Sequence, residues 1–558
     1  MQQSCRQCRE TFEIDAAELD FLERVSPMVR GKALLIPPSP HCPDCRLQRR
    51  FAQRNERFLH KRVCDLTGKS MVSFYRSDAP YKVFDKDAWW SDRWDPMQYG
   101  RSVDFSQSFF DQIAGLRGEV PHLGMVVTQE EGSAYSPYCV STKNCYMCVS
   151  CVVNEDSYYC YQANDSKNCV DSNNLTKCEL CYECLHCYSL FSSAFCKDSE
   201  NGSGLMFCED CRGCTNCIGC KNLVNKKNGI LNQQATEAEV SAMKKLLGSY
   251  AELQKFQENF HAFARALPTR SAHLIQCENC TGDHLRQCRN CSACFDSTNL
   301  EDCHSAFPTP TAGAKDCRDL HYAPGSELVY DSLSAVRTYG ARFVLHTWDT
   351  EDASYTDECF SSKHLFGCVG LKHKEYCILN KQYTQEEYES ILSKVVEHMQ
   401  KTQEWGAFFP VMDSPFGYNE TIAQDEFPLT KQEVLGRGWK WEETREETPN
   451  VTKTIPAARL PDSIADVPDD IVNWAIESEE SGRPFKIIKQ ELDFCRFLNL
   501  PVPRLHSEER YRNRLKQRNP CKLWNRECAK CLAPISTSYS PDRPEIVYCE
   551  SCYLREVY

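Results

Sequence analysis

No stretch of this 558-residue chain comes near the ~18 consecutive apolar residues that a membrane helix needs. The opening Met1-Gln2-Gln3-Ser4-Cys5 carries no apolar signal segment. Histidine is scarce, 14 in all, and scattered, so no Cys–His pair stands out as nucleophile and base. A phosphate-cradling Gly loop, H-E-x-x-H, G-x-S-x-G and the kinase signatures are all missing. These absences leave an enzymatic reading without a foothold, leave no small-molecule substrate in view and remove a membrane partner. Basic residues are in deficit as well, 65 Lys and Arg against 78 Asp and Glu, for a net charge of −13. An acidic chain repels polyanions except where its basic residues gather. They gather twice. Residues 46 to 62 hold seven Arg or Lys against one Glu, and residues 504 to 530 hold nine against three acids.

Cysteine is abundant, at 37 residues. The count is odd and many cysteines form C-x2-C pairs, which is the spacing of metal ligands rather than of a secreted disulfide framework. A reducing, cytoplasmic compartment is expected. Cys5-x2-Cys8 is followed by Cys42-x2-Cys45, and Cys528-x2-Cys531 by Cys549-x2-Cys552. Four thiolates complete a tetrahedral shell around Zn²⁺ and leave no open position for a catalytic water, so two structural zinc ions are expected. At the N-terminus the second pair opens a basic helical run, as in a treble clef. At the C-terminus the pairs are close together, as in a zinc ribbon.

The two ends look like one module present twice. With a shift of 464, Gln53-Arg54-Asn55 falls on Gln517-Arg518-Asn519, and Leu59, Arg62 and Cys64 fall on Leu523, Arg526 and Cys528. With a shift of 473, Phe12, Ile14 and Glu18 fall on Phe485, Ile487 and Glu491. Residues 64 to 90 then read as a second ribbon without its metal, with Cys64, Thr67, Asp85 and Ala88 at the ligand positions. In the C-terminal copy the treble-clef ligands become Ser478, Ser481, His506 and Glu509. Each copy keeps one zinc to anchor a small core.

The middle is a lattice. From Cys139 to Cys220 in steps of three there are 28 positions, of which sixteen are Cys and five are Ser. None is charged or aromatic. An inward side chain at every third residue needs a winding, solenoid-like backbone. Cys151, Cys160, Cys169, Cys178, Cys187 and Cys196 are nine apart, as are Cys359, Cys368 and Cys377. Nine is either one tight coil or half of an 18-residue rung. Each repeat ends alike: Gly219-Cys220, Ile230-Leu231-Asn232 and Thr236-x2-Glu239 recur 148 residues on as Gly367-Cys368, Ile378-Leu379-Asn380 and Thr384-x2-Glu387. The last pair are capping boxes, so amphipathic helices are expected over roughly 237–265 and 385–404. The lattice thiols either pack as small hydrophobes or bind further metal, with zinc or iron–sulfur as the alternatives.

CPDCRLQRRFAQRNERFLHKRVCDLTGK, WWSDRW and LFGCVGLKHKEYCILNKQY together resemble a Cys-rich zinc-ribbon family of uncultivated small-genome bacteria. The resemblance covers nearly the whole chain. It implies a bacterial cytoplasm and no particular mechanism.

The expected architecture is therefore multidomain and mainly β, with two Cys-rich β-solenoid-like repeats, each followed by an amphipathic helix. Two treble-clef/zinc-ribbon α+β modules bracket them. The segments are zinc module A at 1–90, a Trp-rich linker at 91–135, repeat 1 at 136–235, a helix at 236–270, repeat 2 at 271–383, a helix at 384–404, an extended connector at 405–470 and zinc module B at 471–558. A non-enzymatic interaction scaffold with a protein partner is the first functional expectation. A nucleic-acid- or ribosome-associated factor is the second, using basic helices 46–62 and 508–526 through Arg46, Arg49, Arg50, Arg54, Arg57, Arg510, Arg514 and Arg518. A metal- or redox-handling protein that uses the repeat thiols is the third.

Overall fold

The structure, a computed structural model, describes residues 1–308, 312–443, 451 and 453–557. Short strands dominate, and twelve α-helices accompany them among the described residues. The chain forms two compact units, each discontinuous in sequence. One holds Met1–Val126 and His273–Glu442, and the other holds Val127–Ala272 and Glu443–Tyr558.

In the second unit, residues 127 to 230 form a ladder of parallel bridges. Val127 pairs with Cys139, Val140 with Val152, and Ile218 with Ile230, always twelve residues apart. The pairing step is thus twelve residues, neither nine nor eighteen, and holds four triplets. Each triplet consists of an inward lattice residue, a bridging residue and a corner residue in the left-handed region. Corner residues such as Asn144, Asp156, Asn168 and Asn174 have φ near +50°. Asn and Asp tolerate that conformation better than other non-glycine residues.

The main chain of each triplet spends two of its three amides on the ladder. The bridging amide reaches the next coil, as in Val140 N–H to Cys151 O at 3.0 Å. The corner amide reaches the previous coil, as in Ser141 N–H to Thr128 O at 3.1 Å. The inward amide is left for side chains, because a buried N–H must find an acceptor. The lattice residue one coil earlier supplies it. Cys139 Sγ accepts from Cys151 N–H at 3.4 Å, and Ser157 Oγ accepts from Cys169 N–H at 3.2 Å.

In the first unit, residues 274 to 378 build a second ladder. Leu365 pairs with Cys377 at the same twelve-residue step, but Leu274 pairs with Leu285 at eleven. Each ladder ends on an asparagine. Asn232 bonds both the N–H and the C=O of Lys221, and Asn380 does the same for Val369. The capping boxes form as expected, on helices Glu237–Leu246 and Gln385–Lys401. The expected helix over 237–265 is broken in two, because Ser249 caps a new helix, Tyr250–Arg265, from Glu252 N–H. That helix buries Leu253, Phe256 and Phe260. Gly219 (φ +65°) lies so close to Phe256 that an added Cβ would stand 2.7 Å from its ring. Gly367 (φ +66°) meets Phe109 at the same 2.7 Å.

Phe109 begins helix Phe109–Glu119, inside the expected Trp-rich linker. Trp89, at the end of module A, is fully buried and donates from Nε1 to Pro121 O at 3.0 Å. The expected extended connector is not extended over 405–442. Trp405, Phe408, Phe409, Phe416 and Tyr418 are buried there, and two short helices, Ile422–Glu426 and Lys431–Gly436, follow. Aromatic side chains at this density gain more from burial than an open path allows. Residues 444–450 and 452 of the connector lie outside the described residues.

The terminal modules share an element order. Hairpin Gln2–Ser4/Thr11–Glu13, helices Ala16–Val25 and Pro43–Phe51, hairpin His60–Val63/Ser70–Ser73 and helix Lys86–Trp90 form the first. Strands Trp474–Glu477/Pro484–Phe485, helices Lys489–Leu498 and Ser507–Leu515, hairpin Trp524–Glu527/Pro534–Thr537 and helix Glu550–Val557 form the second.

Candidate metal centres

Cys5 and Cys8 lie on a knuckle that leaves strand Gln2–Ser4. The turn is closed by Cys5 N–H to Glu10 O at 2.8 Å and Arg9 N–H to Cys5 O at 3.0 Å, with Arg9 at φ +69°. Cys42 caps helix Pro43–Phe51 and Cys45 sits in its first turn, where the helix N-terminus favours thiolates. All four sulfurs lie within 4.8 Å of one another, and Cys8 Sγ is 3.6 Å from Cys42 Sγ. A tetrahedral ion with metal–sulfur bonds of about 2.3 Å holds its sulfurs about 3.8 Å apart. The thiol of Cys45, followed by the surrounding amide and thiol donors, brings the Cys42 thiol down to about 5 against its burial.

Cys528, Cys531, Cys549 and Cys552 repeat this arrangement, again within 4.8 Å, with Cys531 Sγ 3.7 Å from Cys549 Sγ. The knuckle is the same: Cys528 N–H to Ala533 O at 2.8 Å, Leu532 N–H to Cys528 O at 2.9 Å, and Leu532 at φ +62°. Burial pushes the Cys528 thiol up, but the amides of Cys549, Cys531 and Lys530 bring it down to about 6. Both four-cysteine groups could therefore hold a metal ion.

The aligned positions that do not carry four cysteines have the knuckle as well. Gly68 N–H bonds Cys64 O and Gly482 N–H bonds Ser478 O, both at 2.9 Å, with both glycines at φ +72°. A carboxylate takes the centre of each. Glu509 accepts hydrogen bonds from Ser478 and Ser481, and His506 N–H donates to Ser478 Oγ at 3.2 Å. That last bond matches Cys42 N–H to Cys5 Sγ at 3.3 Å. Asp85 accepts from Thr67 Oγ1 at 3.0 Å, and Asp85 N–H donates to Cys64 Sγ at 3.3 Å, matching Cys549 N–H to Cys528 Sγ at 3.2 Å.

The lattice thiols have hydrogen-bond partners of their own. Cys151, Cys160, Cys169, Cys178 and Cys187 each approach the carbonyl of the next member of the series, nine residues on, at 3.3 to 3.8 Å. Hydroxyls make the same reach in the other ladder: Ser326 Oγ to Ala335 O at 2.9 Å and Thr338 Oγ1 to Thr347 O at 3.3 Å. Cysteine and serine suit these positions because each accepts the inward amide and donates to a carbonyl with a lone pair to spare.

The arginines expected to contact phosphates point inward. Arg46 pairs with Glu18 at 3.1 Å and Asp319 at 3.0 Å, and Arg50 pairs with Asp331 at 2.5 Å. In the other unit Arg510 pairs with Glu491 at 2.7 Å and with Asp171, and Arg514 with Asp171 at 3.2 Å and Glu183 at 2.9 Å. Arg54 is fully buried against Glu56 at 2.7 Å, and Arg518 is buried too. Arg49 is half-buried and donates to Phe408 O at 2.8 Å, and Arg57 is half-buried. Six of the eight are thus removed from any surface a polyanion could reach, five of them against carboxylates of this chain. The partners were legible in part. Asp171 falls on Asp319 and Glu183 on Asp331 with the same shift of 148 that relates the ladder ends.

No helix among the described residues is long and apolar enough to cross a membrane. No protein-family model matches the chain, and no curated protein is similar to it.

Proposed function

We propose that the chain is a non-enzymatic scaffold built of two β-solenoids. Each is fastened to a module with one structural zinc ion and offers its flanks to a protein partner. The observation that carries this reading is that the reactive groups face inward and are already used. Four cysteines around each ion leave no position for a water. The lattice thiols donate to carbonyls. The basic helices are tied to the ladders by buried carboxylates. Zinc fits the donor set, since soft thiolates in a tetrahedral group of four cysteines select it.

The test is zinc analysis and limited proteolysis of the full chain and two variants. Wild type is expected to hold two thiolate-bound zinc ions. Cys5→Ser and Cys528→Ser are each expected to lose one and to open only their own module to protease. Unchanged zinc content and unchanged cleavage in both variants would overturn the zinc role. Salt-sensitive retention of RNA by the wild-type chain would overturn the assignment to a protein partner.

A further inference from the structure

Three side chains of the first unit, used by neither four-cysteine group, converge at the start of its ladder. His273 and His284 stack, with ring centroids 4.7 Å apart and planes 9° from parallel. Both turn Nδ1 toward one carboxylate oxygen. His273 Nδ1 is 3.2 Å and His284 Nδ1 is 3.7 Å from Asp283 Oδ1. Asp296 Oδ1 lies 3.6 Å from His284 Nδ1 and orients that ring from beyond the group. His273 and Asp283 are buried.

The ladder itself makes this cluster. The first coil pairs at eleven residues, Leu274 with Leu285, which sets His273 beside His284. The next pairs at twelve, Gly282 with Cys294, which sets His284 beside Asp296. Asp283 is held in place by two amides, His273 N–H at 2.8 Å and His284 N–H at 3.0 Å, both to Oδ1. The ligand atoms of His273, Asp283 and His284 all lie within 4.8 Å of one another. An ion about 2.0–2.2 Å from each nitrogen and oxygen separates its ligands by about 3.3 Å. The observed 3.2 and 3.7 Å within the group are close to that. The Asp283 carboxylate also supplies negative charge for a divalent cation.

We propose that His273, Asp283 and His284 form a third metal site, of nitrogen–oxygen type, for a divalent transition ion. Two imidazoles with one carboxylate suit Zn²⁺, Mn²⁺ or Fe²⁺ and differ in kind from the thiolate sites. The histidines are eleven apart in sequence, so only the short first coil reveals them as neighbours.

The probe is Co²⁺ added as its chloride to the full-length protein after mild dialysis against chelator. Wild type is expected to take up one cobalt per chain whose spectrum lacks sulfur-to-cobalt charge transfer. His284→Gln and Asp283→Asn are expected to lose that uptake while keeping wild-type circular dichroism and both thiolate-bound zinc ions. Equal uptake by wild type and both variants, or uptake that always shows the thiolate band, would overturn the site. Cys5→Ser and Cys528→Ser serve as the opposite control, since loss of their zinc concerns the four-cysteine groups and leaves cobalt uptake here unchanged.

Discussion

The thiol of Cys139 reaches the carbonyl of Cys148, nine residues on, at 3.6 Å. The same nine-residue reach recurs whatever residue carries the carbonyl, as in Cys145 to Asn154 and Cys148 to Ser157. Nine residues are three of the four triplets in a twelve-residue step, so the sulfur meets a carbonyl one triplet short of the paired residue. The coil repeats at twelve. The side-chain bonds thus reach nine residues along the chain, while the main chain pairs at twelve.

A lattice cysteine therefore needs a donor and an acceptor more than it needs bulk. Cys151 Sγ accepts from Ala163 N–H at 3.4 Å. Cys151→Ser keeps both roles, and its urea midpoint should stay close to wild type. Cys151→Val keeps the volume but leaves that amide buried without a partner, at a cost of about 1–3 kcal/mol. A valine variant as stable as the serine variant would refute the hydrogen-bonding account.

The carboxylate-centred knuckles keep a geometry that an ion could use. Replacing Ser478, Ser481, His506 and Glu509 together by cysteine should add one thiolate-bound zinc per chain, measured by metal analysis. The single change Glu509→Ala should instead loosen the second module, because the Ser478 and Ser481 hydroxyls lose their acceptor. Unaltered zinc content in the quadruple variant would show that the knuckle backbone alone is not enough.

The buried ion pairs fasten each module to its own ladder. Arg510→Ala leaves Glu491 without its arginine and deprives Asp171 of one of two. Breaking such a pair from one side costs about 3–5 kcal/mol. The same loss is expected for Arg46→Ala in the other unit. Thermal melting of both variants checks this. A change below about 1 kcal/mol would mean that the pairs are solvated in solution.

Acid should weaken the first unit through His304. Burial, then Arg318, lowers its pKa to about 4, from an ordinary value of 6.5. Between those two pH values the unfolded chain binds a proton at this site that the folded chain does not. Stability therefore rises with pH across that window and is lost as pH falls through it, by on the order of 3 kcal/mol at most. His304→Asn should flatten that part of the stability–pH curve. An unchanged slope would rule out His304 as its source.

The sequence by itself determined the local patterns. C-x2-C pairs mark the ligands of both four-cysteine groups, because a knuckle needs only a few residues. A small polar residue at every third position marks an inward-facing column, and Thr-x2-Glu marks a helix start. Identities at fixed shifts also relate the two ends, whose main elements follow the same order. Tertiary structure alone decided the rest. Coil length follows from parallel pairing between residues twelve apart, which no residue type announces. The fate of Arg50 depends on Asp331, 281 positions away, and a surface cation cannot be told from a buried one until its partner is known. His273 and His284 become neighbours only because the first step of their ladder pairs at eleven residues, where the next pairs at twelve.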